Sequence, residues 1–193
     1  WMGCIEARAD GLDETDDPPS VEPFEPYYWQ DTDRTWINRI RRWRYGDNNW
    51  IDDDDDDDVT IYEVNSSSAR GPNRGCGEKI TPLVAEKTKI LDAIDDMAPW
   101  SFGGTATPMG LAWGWRVLSP RWRGLWSGAA TGTPVDYETP FMDKVIVVLT
   151  DGKNEFISDE VEFGGSDYTA YGKIVDMGHA SIGDARDDLD ERF

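Results

Sequence analysis

The chain has 193 residues, enough for one domain with a core and too few for two ordinary domains. Its formal net charge of −20 and isoelectric point of about 4.2 count against nucleic acid or an anionic membrane surface as partner. No apolar run approaches the roughly 20 residues a membrane-spanning helix needs, while ten tryptophans and seven tyrosines supply large side chains for a core.

Trp1-Met-Gly-Cys4 lacks the basic patch and apolar stretch of a signal peptide and reads as the interior of a longer protein. Residues 9–35 carry Pro18-Pro19, Pro23 and Pro26 among acidic residues, the composition of an extended surface segment. Residues 35–45 are expected to form a short helix. Its Arg39, Arg41, Arg42 and Arg44, interleaved with Trp36, Ile40 and Trp43, pair with the protein's own carboxylates rather than with nucleic acid. Asp47 to Asp58, with seven consecutive aspartates from Asp52, repels itself and is expected to be a solvated loop. The run lacks the alternating ligand spacing and central glycine of an EF-hand, which leaves loose calcium binding as its sharper alternative. Val59 to Val64 alternates as a short strand does, and the Ser/Gly/Pro-rich residues 65–77 read as loop.

A helix is expected from Thr81-Pro82 to about Met97, with Leu83, Ile90, Leu91, Ile94 and Met97 on one face and Pro99 as its stop. Gly103-Gly-Thr105 then forms a tight loop. Thr107-Pro108 reads as an N-cap with proline at the first helical position, and Ser119-Pro120 ends the helix. Leu111, Trp115 and Leu118 give that helix an apolar stripe. Residues 121–143 are irregular, with Trp122, Trp126 and Phe141 as expected anchors. The run Val145 to Leu149, after Lys144, is a continuous apolar stretch rich in β-branched residues, the pattern of a strand inside a parallel sheet. It breaks into Thr150-Asp151-Gly152, where an open α/β sheet gathers its ligands. Asp151 therefore has two readings: a metal ligand or acid/base group, or a residue that shapes a turn with Gly152. A last helix carries Ile182, Ala185, Leu189 and Phe193 at helical spacing, and His179, the chain's one histidine, precedes it as a polar surface residue.

A GGT loop, a helix and a hydrophobic strand ending in TDG resemble the latter part of a von Willebrand factor type A domain. The resemblance narrows to the TadG-like proteins of tight-adherence (Flp) pilus assembly on four blocks: Trp1 to Arg8, Cys76 to Leu83, Gly110 to Pro120 and Asp167 to Gly172. It covers most of residues 1–8 and 76–193. It implies an α/β, Rossmann-like type A domain with a mostly parallel sheet, present in part, with residues 1–193 as one unit and an irregular Pro/Asp-rich insertion at about 9–75. It also implies an extracytoplasmic location behind an N-terminal membrane anchor outside this chain. Cys4 and Cys76 lack metal-ligand spacing, and composition alone leaves open that they are unrelated thiols. Under the resemblance they form a disulfide, whose loop of about 70 residues contributes roughly 4–5 kcal/mol in the chain-entropy treatment.

The family's metal-ion-dependent adhesion site combines a DxSxS motif, a threonine of the GGT loop and the aspartate that ends a later strand. Thr105 and Asp151 occupy the second and third positions. No DxSxS occurs in this chain, and the resemblance places it before residue 1, together with the central first strand. Magnesium or manganese is the expected cation in the intact protein, binding weakly or not at all to these 193 residues. The implied function is a non-enzymatic adhesion or assembly module whose partner is a pilus-assembly component or surface ligand. Two alternatives are an acidic extracytoplasmic calcium-binding surface protein and a metal-dependent hydrolase. Against the hydrolase stand the absence of HExxH, GxSxG and Walker sequences and the single histidine.

Overall fold

The computed structural model describes residues 1–28, 34–37, 40–43, 72–99, 104–150, 152–156, 168–179 and 181–192. The expected strand at 59–64 and the acidic run at 47–58 lie outside them.

The first regular elements correct the sequence reading. Arg34–Ile37 (β1) and Ile40–Trp43 (β2) form an antiparallel pair, with Trp36 opposite Arg41 and Ile37 opposite Ile40, where a helix was expected. Thr35, Trp36, Ile37, Ile40 and Trp43 are β-branched or aromatic, the residue types a pleated surface favours. The two-residue separation between the strands is the length of a tight hairpin. Local composition thus outweighs the helical spacing of the arginines.

Lys87–Asp95 forms α1, which starts five residues later than Pro82 invites and ends before Pro99. It buries none of its residues; Ile90, Leu91, Ile94 and Met97 remain exposed. Thr107–Leu118 forms α2. Ala106 is its N-cap, and the Thr107 amide receives its hydrogen bond from outside the helix, donating to Asn154 Oδ1 at 2.9 Å. Ile182–Glu191 forms α3, capped by the Ser181 hydroxyl, which accepts from the Asp184 amide at 3.1 Å. A two-residue antiparallel pair, Tyr168–Thr169 (β3) with Gly172–Lys173 (β4), precedes it. Ala185 and Leu189 on α3 pack with Phe156 and Ile174 into an apolar core, against which Ala106, Tyr171, Met177 and Ile182 close.

The face that α2 buries is not the expected one. Pro108, Ala112 and Arg116 are buried, while Leu111, Trp115 and Leu118 are only partly so. Small Ala112 admits the N-terminal segment, whose carbonyls need a donor. The Arg116 guanidinium supplies it, donating to Leu12 O at 3.0 Å, Asp13 O at 2.8 Å and Thr15 O at 3.0 Å. Arg8 serves the same segment from the other side, donating to Leu12, Asp17 and Glu22 carbonyls at 2.7–3.2 Å. Phe24 lies between the two cations and packs on Trp113, which joins Trp122 and Trp126 at centroid distances of 5.3–6.2 Å. Residues 9–28 lie mostly at the surface, and the stretch from Leu12 to Phe24 is bolted to α2 by charge-assisted hydrogen bonds and cation–π contacts. Phe141, expected as an anchor, is fully exposed.

Residues 144–149 pair with no strand among the described residues, and the described strand pairs are antiparallel. Val145 to Leu149 are exposed rather than interior, and Lys144 is half-buried. Apolarity alone does not bury a strand, which also needs ladders on its edges and layers on its faces.

Candidate functional site

Of the two expected cation ligands, Thr105 is described and Asp151 is not. Thr105 sits in an antiparallel bridge with Glu155: its amide donates to Glu155 O and the Glu155 amide to Thr105 O, both at 2.9 Å. The GGT loop is thereby drawn against the chain that follows Thr150-Asp151-Gly152. Asn154, next to that bridge, caps α2 and also reaches α3, donating from Nδ2 to Asp190 Oδ1 at 3.0 Å. Gly104 must be glycine here, since a Cβ would collide with the Glu155 carbonyl. Glu155 and Asn154 were not singled out in the sequence as partners of the GGT loop; their proximity to TDG was the only signal.

Thr105 is half-buried, and among the described residues its hydroxyl has no hydrogen-bond partner. It is chemically free to meet a cation. One hydroxyl is not a cage, however: Mg²⁺ takes six oxygens in near-octahedral array. No group of three or more His, Cys, Asp or Glu side chains suited to a metal occurs among the described residues. The residues described here do not by themselves fit a bound divalent ion.

The other polar constellation lies on the buried side of α2. Asp16 Oδ2 accepts from Ser119 Oγ at 2.5 Å and from Tyr137 OH at 3.1 Å, while Asp16 Oδ1 accepts from Arg121 at 2.9 Å. Burial alone would raise the Asp16 carboxyl, but the hydrogen bonds from Ser119, Arg121 and Tyr137 outweigh it and hold the pKa below its ordinary value. A serine beside a carboxylate invites comparison with a nucleophile. Ser119 is fully buried, and the single histidine lies elsewhere, 3.6 Å from Asp188. With neither substrate access nor a base, the network fastens residues 12–17 to the end of α2.

Cys4 and Cys76 are bonded to each other, with Cα atoms 5.6 Å apart. Around them the two ends of the insertion meet. Ile5 bridges Pro26, the Tyr27 amide donates to Cys4 O at 2.9 Å, and Tyr27 OH donates to Arg74 O at 2.7 Å.

Comparison with protein-family models, with curated proteins and with solved structures gave no match.

Proposed function

We propose that this chain is part of a type A, TadG-like module: a non-enzymatic protein-binding element of Flp pilus assembly or surface attachment. On this reading it works outside the cytoplasm. Its α/β sheet is completed, and its Mg²⁺ or Mn²⁺ site filled, by a DxSxS segment that the resemblance places before residue 1. The observation that carries the reading is the two-way backbone pairing of Thr105 with Glu155. It holds Thr105, whose hydroxyl is free, against Glu155, four residues beyond Asp151 in the chain, which supports a reading in which the two loops share one end of the domain. The Cys4–Cys76 bond supports an oxidising compartment. In the intact site Thr105 and Asp151 would each offer an oxygen, and the cation would leave one position open for a carboxylate of the partner.

Titration calorimetry tests this. A form lengthened upstream to include DxSxS should bind Mg²⁺ at a single site, lose it on Asp151→Ala, and lose partner attachment with it. The 193-residue chain alone should bind the ion weakly or not at all. A single strong Mg²⁺ site in the short chain, or one indifferent to Asp151→Ala, would refute the assignment. The run Asp52 to Asp58 favours a second reading, loose calcium binding, which would show instead as many weak sites.

A further inference from the structure

Three stretches of chain meet where the GGT loop ends: residues 104–107, residues 153–156 and α3. Apolar contact gathers them. Ala106 packs on the core of Phe156, Ile174, Ala185 and Leu189, although α2 and α3 themselves share little direct packing. Such contact is non-directional and leaves the loop free to turn or slide over the core. Hydrogen bonds remove that freedom, because they fix direction as well as distance.

Asn154 bonds to both helices at once. Its Oδ1 accepts from the Thr107 amide, in the first turn of α2, at 2.9 Å. Its Nδ2 donates to Asp190 Oδ1 at 3.0 Å and to Leu189 O at 3.5 Å, in the last turn of α3. One residue further along, the Thr105 and Glu155 backbones pair in both directions. Arg186 secures the same segment, donating from Nη2 to Phe156 O at 2.7 Å and pairing with the Glu155 carboxylate. Arg186 binds residues 155–156 to α3, whereas Asn154 also reaches the start of α2. An amide side chain suits this position, since it accepts on one side and donates on the other. An aspartate would accept from Thr107 but face the Asp190 carboxylate with a like charge. An alanine would make neither bond and would leave one of the orphan N–H groups at the start of α2 without its acceptor.

We propose that Asn154 is the positioning residue of Thr105: it joins the GGT loop to the last turn of α3 without a cation, so that the threonine's placement follows α3. This goes beyond the cation reading and does not depend on it. A cation held by a fuller site would meet a loop already in place.

Hydrogen exchange on the 193-residue chain, in EDTA, tests it through an exchange of amide and carboxylate. Asn154→Ala should speed exchange of the Thr105 and Glu155 amides by about tenfold, the scale of one lost hydrogen bond. Asn154→Asp should do the same through repulsion by Asp190. Asn154→Asp combined with Asp190→Asn should return both amides to within about twofold of the unsubstituted chain, because donor and acceptor have only changed places. The Ala185 and Leu189 amides of α3 should keep their protection throughout. Four results would each overturn the proposal: Thr105 and Glu155 amides unchanged in Asn154→Ala; no recovery in the swapped pair; acceleration shared equally by Ala185 and Leu189, which makes Asn154 a support of the whole fold; and protection of Thr105 that appears in the unsubstituted chain only when Mg²⁺ replaces the chelator. Failure of the cation reading would show instead in calorimetry on the lengthened form, with these exchange results unchanged.

Discussion

The carbonyl oxygen of Glu155 fills the space in which a side chain on Gly104 would begin, and the backbone of Thr105 pairs with Glu155 immediately beyond. The second glycine of the GGT loop is thus set by a neighbour fifty residues along the chain rather than by local turn geometry.

Gly104→Ala should therefore destabilise the protein by about 1–3 kcal/mol, the range for overpacking against a backbone that must shift. Gly110→Ala is the control. It lies within α2, a Cβ there meets nothing within 4 Å, and alanine gains up to about 1 kcal/mol over glycine inside a helix. Urea unfolding followed by tryptophan fluorescence separates the two; identical midpoints would show that the close approach carries no energetic weight.

Removing the Cys4–Cys76 bond, by reduction or as a double alanine variant, should cost roughly 2–4 kcal/mol, given the 72-residue separation it closes. In the unreduced, denatured protein neither thiol should take up an alkylating reagent. Free labelling of both cysteines would contradict the pairing.

Stability should fall in alkali. Burial raises the Tyr27 phenol well above its ordinary range and pushes Tyr171 up to about 12. A raised folded pKa favours the neutral phenol in the native state. The contribution is complete below the unfolded value near 10 and is lost as pH rises from there through about 12, where the unfolded chain ionises first. Arg116, pushed down to about 10 by burial, acts in the opposite sense, and its three carbonyl acceptors oppose loss of its proton. The net slope from pH 10 to 12 should be downward, by roughly 1 kcal/mol per pH unit. Tyr171→Phe should flatten it; an unchanged slope in that variant would remove Tyr171 from the account.

What the sequence made legible depended on how local the cause was. Pro108 and Ser119-Pro120 bracket α2 to within a residue, and Ile182, Ala185 and Leu189 mark α3, because caps and helical spacing act over a few residues. The buried face of α2 could not be read that way. Arg116 is interior only because carbonyls of Leu12, Asp13 and Thr15, about a hundred residues away, accept its protons. The same holds for Asp16, which ranks as a surface residue until Ser119, Tyr137 and Arg121 are placed around it. At β1 and β2 the expected helix gave too little weight to the β-branched and aromatic residues Thr35, Trp36, Ile37, Ile40 and Trp43. For the candidate site, the loop motif drew attention to Thr105. Its partner Glu155 was not legible, since backbone pairing leaves no mark on residue type.

The meeting of Tyr27 with Arg74 beside the Cys4–Cys76 bond has a consequence for how such a chain changes over time. The polypeptide departs and returns at a single fastened gate, so the length of what lies between bears on stability mainly through the entropy of closing it. Each doubling of its length adds only about 0.6 kcal/mol of closure entropy, while the gate is held by the Cys4–Cys76 bond, the Ile5–Pro26 bridge and the hydrogen bonds of Tyr27 to Cys4 O and Arg74 O. Lengthening a tract such as the aspartate repeat that starts at Asp52 therefore costs little in closure entropy.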